Sequence, residues 1–229
     1  MKIGGIQKVS LIDYPGEVGA IVFTQGCNLR CPYCHNPELV KPELFRAVLG
    51  EQDVLSLLRD RRRYLSAVTV TGGEPCIQDD LVAFLLTLRE MGYLVKLDTN
   101  GTHPFVLYEV LKKEAVNYVS MDIKAPPDKY GEIIRVAVDM KNITKSVELI
   151  MESGLPYDFR TTVVKSLLEP RDFEKIGALI RDARLHILQR FIPLQTLDPA
   201  FAEEKTFSDE EMEEAAGIMR TYVGECRVR

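Results

Sequence analysis

The sequence has no long hydrophobic run, no linker, no repeat and no surplus of positive charge. Nothing in it approaches the roughly 20 consecutive apolar residues that span a bilayer. Met1-Lys2-Ile3-Gly4-Gly5 leads straight into ordinary domain sequence rather than an apolar leader, so a cytoplasmic protein with no membrane contact is expected. No Pro/Gly/Ser-rich stretch divides the 229 residues, and the chain reads as one domain over residues 1–229. A formal charge of −5 gives no electrostatic reason to expect nucleic acid. Cysteine is sparse, with five in all, yet three crowd into Cys27 to Cys34. That odd, clustered set does not suit a secreted disulfide framework and reads first as a metal site in a reducing compartment.

Short β-branched or aromatic runs do occur, at Gly19–Gln25, Ala67–Thr71, Leu94–Thr99, Tyr118–Ile123, Tyr157–Val163 and His186–Ile192. Segments of helical period alternate with them, at Gln52–Arg62, Asp80–Met91, Pro104–Glu114, Lys141–Ser153, Pro170–Ala183 and Ser208–Tyr222. Pro170 suits a first helical turn, Ser208 with Glu211 makes a capping box, and Met91-Gly92 and Ser153-Gly154 read as helix stops. The alternation predicts an α/β fold: a partial, open TIM-type barrel of about six β-α units, two short of closure. In such sheets the chemistry gathers on the loops that follow the strands. The unusual residues fall there: the cysteine loop, then Gly72-Gly73-Glu74-Pro75, then Asp98-Thr99-Asn100-Gly101, then Asp122-Ile123-Lys124.

Cys27-x-x-x-Cys31-x-x-Cys34 offers three thiols on one short loop and leaves one coordination position vacant. Structural zinc wants four protein ligands and ordinary electron-transfer iron–sulfur clusters want four cysteines. His35 is available as a fourth ligand, so a Cys3His zinc site is the competing reading. The two glycines after a strand permit unusual dihedrals and close backbone approach, and Pro75 stiffens the exit.

The cysteine spacing, with aromatic Tyr33 before the third cysteine, resembles the radical S-adenosylmethionine (SAM) signature, and Gly72-Gly73-Glu74-Pro75 resembles that superfamily's GGEP motif. Residues 5–16 (GIQKVSLIDYPG) and 23–37 (FTQGCNLRCPYCHNP) narrow the resemblance to the glycyl-radical-enzyme activating proteins, most of all those of anaerobic ribonucleoside-triphosphate reductase. It implies a four-iron, four-sulfur (4Fe-4S) cluster on Cys27, Cys31 and Cys34, with SAM on the open iron. Tyr33, Gly72, Gly73, Glu74, Asp98, Asn100, Lys124 and Arg160 would then bind the cofactor. Similarity to the pyruvate formate-lyase activating enzyme implies a monovalent cation at Asp98, Thr99 and Asp122; strand-end capping or a salt bridge with Lys124 is the alternative for the two aspartates. The implied activity is reductive cleavage of SAM and abstraction of a glycine Cα hydrogen from a partner glycyl radical enzyme. A flavodoxin or ferredoxin would supply the electron. A pyruvate formate-lyase-like partner, and a small-molecule enzyme resembling 7-carboxy-7-deazaguanine synthase, are the alternative readings.

Other residues receive plainer expectations. Cys76 stands where the GGEP pattern suggests an aliphatic residue and reads as a buried small hydrophobe. Cys226, His103 and His186 lack ligand spacing. Arg59-Asp60-Arg61-Arg62-Arg63 reads as a solvated helix end, with an acidic electron donor as the alternative partner. Residues 126–140 read as a long irregular loop, and Arg160, inside a strand, is expected to point into the barrel toward SAM or a carboxylate.

Overall fold

The computed structural model describes residues 1–229. All six expected strands form, as β2 (Gly19–Thr24), β3 (Ala67–Gly72), β4 (Leu94–Thr99), β5 (Tyr118–Asp122), β6 (Tyr157–Val163) and β7 (Leu185–Arg190). Two more lie at the edges: β1 (Ile3–Ser10) and β8 (Glu225–Val228). The sheet therefore has eight strands, in the order β1 to β8, rather than six. β1 pairs antiparallel with β2, and every other pairing is parallel. β1 and β8 do not pair with each other, so the barrel stays open as expected.

The helices are α1 (Pro37–Val40), α2 (Glu51–Arg61), α3 (Leu81–Glu90), α4 (Pro104–Lys112), α5 (Tyr130–Ile134), α6 (Met140–Glu152), α7 (Pro170–Leu179) and α8 (Asp209–Met219). Both halves of the Ser208/Glu211 capping box form, and Pro170 opens α7. Gly92 and Gly154 carry the positive φ, +85° and +74°, that ends α3 and α6. The segment 126–140 is not wholly irregular, since α5 forms within it and buries Tyr130, Ile133 and Ile134. No helix is long and apolar enough to cross a membrane.

Strand side chains alternate between two faces, and here the faces differ in kind. Val68, Val70, Val95, Leu97, Val119, Met121 and Phe159 join one large apolar core with helix residues such as Leu58, Phe84, Leu88, Val147 and Phe173. Their neighbours Lys96, Asp98, Ser120, Asp122, Asp158 and Arg160 form the inner face of the barrel, where they line two cavities. Tyr14, Ala67 and Tyr118 make a small separate apolar cluster. The basic run at the end of α2 is not simply solvated. Arg62 donates to the carbonyls of Leu65, Met91 and Gly92 and lies over the Tyr93 ring at 5.1 Å, so it ties α2 to the end of α3.

Candidate active site

The carboxyl end of β2 runs directly into the cysteine loop, which three other segments fix in place. Arg30 N donates to Ile134 O (3.0 Å), Gly26 N to Leu39 O (2.8 Å), and Leu197 N to Cys34 O (2.9 Å). The glycine loop after β3 lies against it. Gly73 N donates to Thr24 O and Glu74 N to Gly26 O, both at 2.8 Å, which extends the β2–β3 contact past the ends of the strands. Only glycine fits here: Gly72 has φ +115°, and a Cβ on Gly73 would stand 1.9 Å from the Gly26 carbonyl oxygen.

Glu74 is buried, and its carboxylate turns toward the neighbouring loop. It accepts from Cys76 N (2.9 Å), Thr99 Oγ1 (2.7 Å) and Asn100 N (2.7 Å). Burial pushes its pKa up against the pull of those three donors. The side chain braces β4 against the glycine loop, and Gly72, Gly73 and Glu74 line the cavity. A second brace reaches the cysteine loop: Asn100 Nδ2 donates to Asn28 Oδ1 (2.9 Å), and Asn28 Nδ2 to Thr102 Oγ1 (2.8 Å). Neither Asn28 nor Thr102 was expected from the sequence, since a side-chain hydrogen bond across two loops has no motif. Cys76 is buried as expected, with Thr99 Oγ1 3.5 Å from its sulfur.

A cavity of about 210 Å³ results. Of the thirteen residues expected at the site, all but Arg160 line it, and Thr71 and Thr162 join them from the ends of β3 and β6. Arg160 stands behind the wall. Its Nη1 donates to Asp98 Oδ2 (3.1 Å) and its Nε to Asp122 Oδ1 (2.9 Å). Lys96 Nζ takes the other oxygen of Asp98 (2.5 Å), and Lys124 Nζ the other oxygen of Asp122 (2.7 Å). Burial opposes ionisation of both aspartates, but Arg160, with Lys96 on one side and Lys124 on the other, holds them below the usual carboxylate range. Burial likewise pulls Lys124 down, and Asp122 outweighs it, so the ammonium persists.

Nothing in this geometry favours the expected monovalent cation at Asp98, Thr99 and Asp122. All four carboxylate oxygens already accept from a cationic nitrogen. Thr99 Oγ1 is committed to Glu74 and to Gly101 N. The expected salt bridge with Lys124 forms at Asp122, whereas Asp98 pairs with Lys96 and Arg160 instead.

The residues do fit an iron–sulfur cluster. Three thiols share one cavity wall, and burial raises Cys27 to about 12 and Cys31 to about 11, with Cys34 also raised. The chain alone therefore keeps the thiols protonated, and ligation would release those protons. A single zinc ion fits poorly. No three His, Cys, Asp or Glu side chains converge to the spacing of one ion. His35 lines the same cavity, but its Nε2 lies 2.9 Å from Ile192 O and its ring stacks on Phe191 at 5.3 Å. The half-buried glycines Gly72 and Gly73 line the same cavity, which suits a ligand carrying polar groups of its own. Tyr33 is buried, and its hydroxyl has no hydrogen-bond partner.

The family model of the Radical SAM superfamily matches residues 21–183. A protein of Methanocaldococcus jannaschii provisionally named glycyl-radical enzyme activating enzyme is 34% identical, over 99% of this chain and 95% of its own length. The pyruvate formate-lyase-activating enzyme of Clostridium pasteurianum is 30% identical, over 86% of this chain and 83% of its own. Among solved structures, Streptococcus suis SuiB bound to the precursor peptide SuiA superposes with a TM-score of 0.69 at 15% identity, over 91% of this chain and 48% of that one. At that identity the last likeness speaks for the fold alone.

Proposed function

The chain belongs to the radical SAM superfamily, and from that premise we propose that it activates a glycyl radical enzyme, with anaerobic ribonucleoside-triphosphate reductase as the partner. The observation that carries this reading is the single cavity that Cys27, Cys31 and Cys34 line together with Gly72 and Gly73, in a chain similar over nearly its whole length to a protein provisionally named as an activating enzyme. When bound, the cluster supplies the electron that cleaves SAM, and SAM supplies the radical that takes the glycine Cα hydrogen.

The chain's own residues do the positioning. The three cysteines hold the cluster, and the glycine loop lets backbone groups approach the SAM amino group without a side chain between. Lys124, kept charged by Asp122, neutralises the SAM carboxylate. Tyr33, Asn100 and the inner-face residues shape a wall that excludes water from a reactive centre. Residues 1–229 act as one domain on this reading, because one continuous sheet carries every site loop. A protein substrate rather than a small molecule is favoured by the rim beside His35, where Ile192 and Leu194 are 56% and 63% exposed. A low-potential flavodoxin or ferredoxin in a reducing cytoplasm completes the reading, in keeping with five free cysteines.

Anaerobic reconstitution with iron and sulfide tests it. About four iron per chain, as a cluster of this type requires, and 5′-deoxyadenosine after addition of SAM and dithionite are expected. A glycine-centred doublet in electron paramagnetic resonance should appear only when the reductase is present. Zinc without iron would overturn the cluster assignment. A doublet on a pyruvate formate-lyase-like protein but not on the reductase would change the partner, and turnover of a small substrate without any protein partner would end the activase reading.

A further inference from the structure

The hydroxyl of Tyr33 is the exception among the polar side chains around the cavity. Buried polar atoms find partners as a rule, and those of Glu74, Asp98, Thr99 and Asn100 do. Tyr33 is buried, lines the cavity with the three cysteines, and has no partner for its oxygen. Its ring packs edge-on against Phe191, with centroids 6.4 Å apart. Phe191 is itself fully buried, so the ring has little freedom to carry the hydroxyl elsewhere.

The polar groups that face this hydroxyl are Cys31, Asp122, Lys124 and Tyr130. Three are engaged with one another or with Arg160. Lys124 Nζ donates to Asp122 Oδ2 at 2.7 Å, Arg160 Nε to Asp122 Oδ1 at 2.9 Å, and Lys124 N to the Tyr130 hydroxyl at 3.2 Å. Cys31 remains. A neutral thiol is a poor acceptor, whereas a sulfur that has given up its proton to a metal is charged and accepts strongly.

The other two cysteines already have donors of this kind. Leu29 N donates to Cys27 Sγ at 3.4 Å, and the backbone N–H of Asn36 favours the charged form of Cys34. Each donor stands two residues after the sulfur it serves. Two residues after Cys31 stands Tyr33, whose hydroxyl favours the charged form of Cys31 in the same way.

We propose that the Tyr33 hydroxyl donates a hydrogen bond to Cys31 Sγ in the cluster-loaded protein, giving each ligating sulfur one donor and raising the cluster's reduction potential. This role rests on the cluster assignment made above. Reduction adds an electron to the cluster, and a hydrogen bond to a ligating sulfur stabilises the added negative charge. The low dielectric around a buried hydroxyl strengthens the effect.

The test compares wild type with Tyr33→Phe, which removes the hydroxyl and keeps the ring. In the metal-free chain the variant should melt at or above the wild-type temperature, because a buried hydroxyl without a partner costs stability. A variant that melts well below wild type, or fails to fold, would mean that the chain itself supplies the partner, and would overturn the proposal. After anaerobic reconstitution with iron and sulfide, redox titration without SAM, followed by electron paramagnetic resonance, gives the potential. At a fixed potential the reduced-to-oxidised ratio should fall about tenfold in the variant, a shift of about 59 mV toward lower potential for one electron. Electron–nuclear double resonance of the reduced cluster should show an exchangeable proton in wild type that Tyr33→Phe lacks.

An unchanged potential in two proteins of equal iron content would overturn the proposal and leave the cluster assignment standing. Weaker SAM binding with an unchanged potential would also overturn it, by giving the hydroxyl to SAM. Failure of wild type itself to take up a four-iron cluster would overturn the proposal together with the reading beneath it.

Discussion

Arg160→Met would remove the central cation of the inner face while keeping most of the side chain's volume. Two charge-assisted hydrogen bonds go, to Asp98 at 3.1 Å and to Asp122 at 2.9 Å, from a guanidinium only 15% exposed. Breaking a buried ion pair by deleting one partner costs about 3–5 kcal/mol, because the remaining charge stays buried. Each aspartate keeps one lysine, Lys96 or Lys124, which places the expected loss near the low end, at about 3 kcal/mol. For a chain of this length that lowers the melting temperature by about 6–12 °C. The pH dependence separates charge from packing. Both aspartates have folded pKa values below their ordinary 3.8, so the stability they contribute is full above that value and is lost as pH falls through their folded values. The gap between wild type and Arg160→Met should therefore be widest near neutrality and narrow below about pH 4. Urea denaturation of the metal-free chain followed by circular dichroism, at several pH values, measures both. A loss under about 1 kcal/mol, or a gap that does not change with pH, would refute the claim that Arg160 acts by neutralising two buried carboxylates.

Three further outcomes follow from the geometry. Gly73→Ala drives a methyl into the Gly26 carbonyl, and should cost about 2 kcal/mol or more through backbone displacement together with most SAM affinity; calorimetric SAM titration alongside a thermal melt checks both. Glu74→Gln puts an amide N–H where the carboxylate accepts from Thr99, Asn100 and Cys76, and should destabilise by about 1–3 kcal/mol, read as faster hydrogen exchange at Asn100 N. His186 is fully buried, and burial pushes its pKa down to about 3. The unfolded chain therefore binds more protons than the folded one between about pH 6.5 and 3, and wild type should lose up to about 1.4 kcal/mol per pH unit across that window. His186→Phe should flatten that acid limb, and an unchanged slope in denaturation midpoints would contradict the assignment.

The six central strands and their helices were legible because parallel strands and amphipathic helices write their periods plainly, and the two edge strands were not. β1 carries Gly4-Gly5 and alternates poorly, while β8 is four residues, Glu-Cys-Arg-Val, with two charges. Edges are short and polar by physical necessity, since an exposed apolar edge invites aggregation. The cysteine and glycine loops were legible for a different reason: three thiols on one turn, or two glycines after a strand, are expensive choices without a ligand to meet. What could not be read was the use of side chains that bond to one another. Glu74 sits inside its motif yet braces Asn100, and Asp98 and Asp122 look like open ligands until Lys96 and Arg160 are placed beside them.

Those cations did leave a trace. A parallel strand covered on both faces should be nearly continuous in apolar residues, yet β4 runs Val95-Lys96-Leu97-Asp98, β5 runs Val119-Ser120-Met121-Asp122, and β6 runs Asp158-Phe159-Arg160. Every second position breaks the expectation, and the break has the same parity in three adjacent strands. Their register places Asp98 beside Ser120, and Ser120 beside Asp158, so the polar positions form rows across the sheet rather than scattered exceptions. Apolar residues would have filled this interior with less desolvation cost, as they do in closed barrels. Keeping it charged and balanced sustains ionised groups beneath a cavity from which water is to be excluded, because neutralised neighbours let Asp98, Asp122 and Lys124 stay charged where isolated ones would not. On the proposed reading, the polar parity of these three strands is the sequence signature of the floor beneath the site, legible independently of the cysteines.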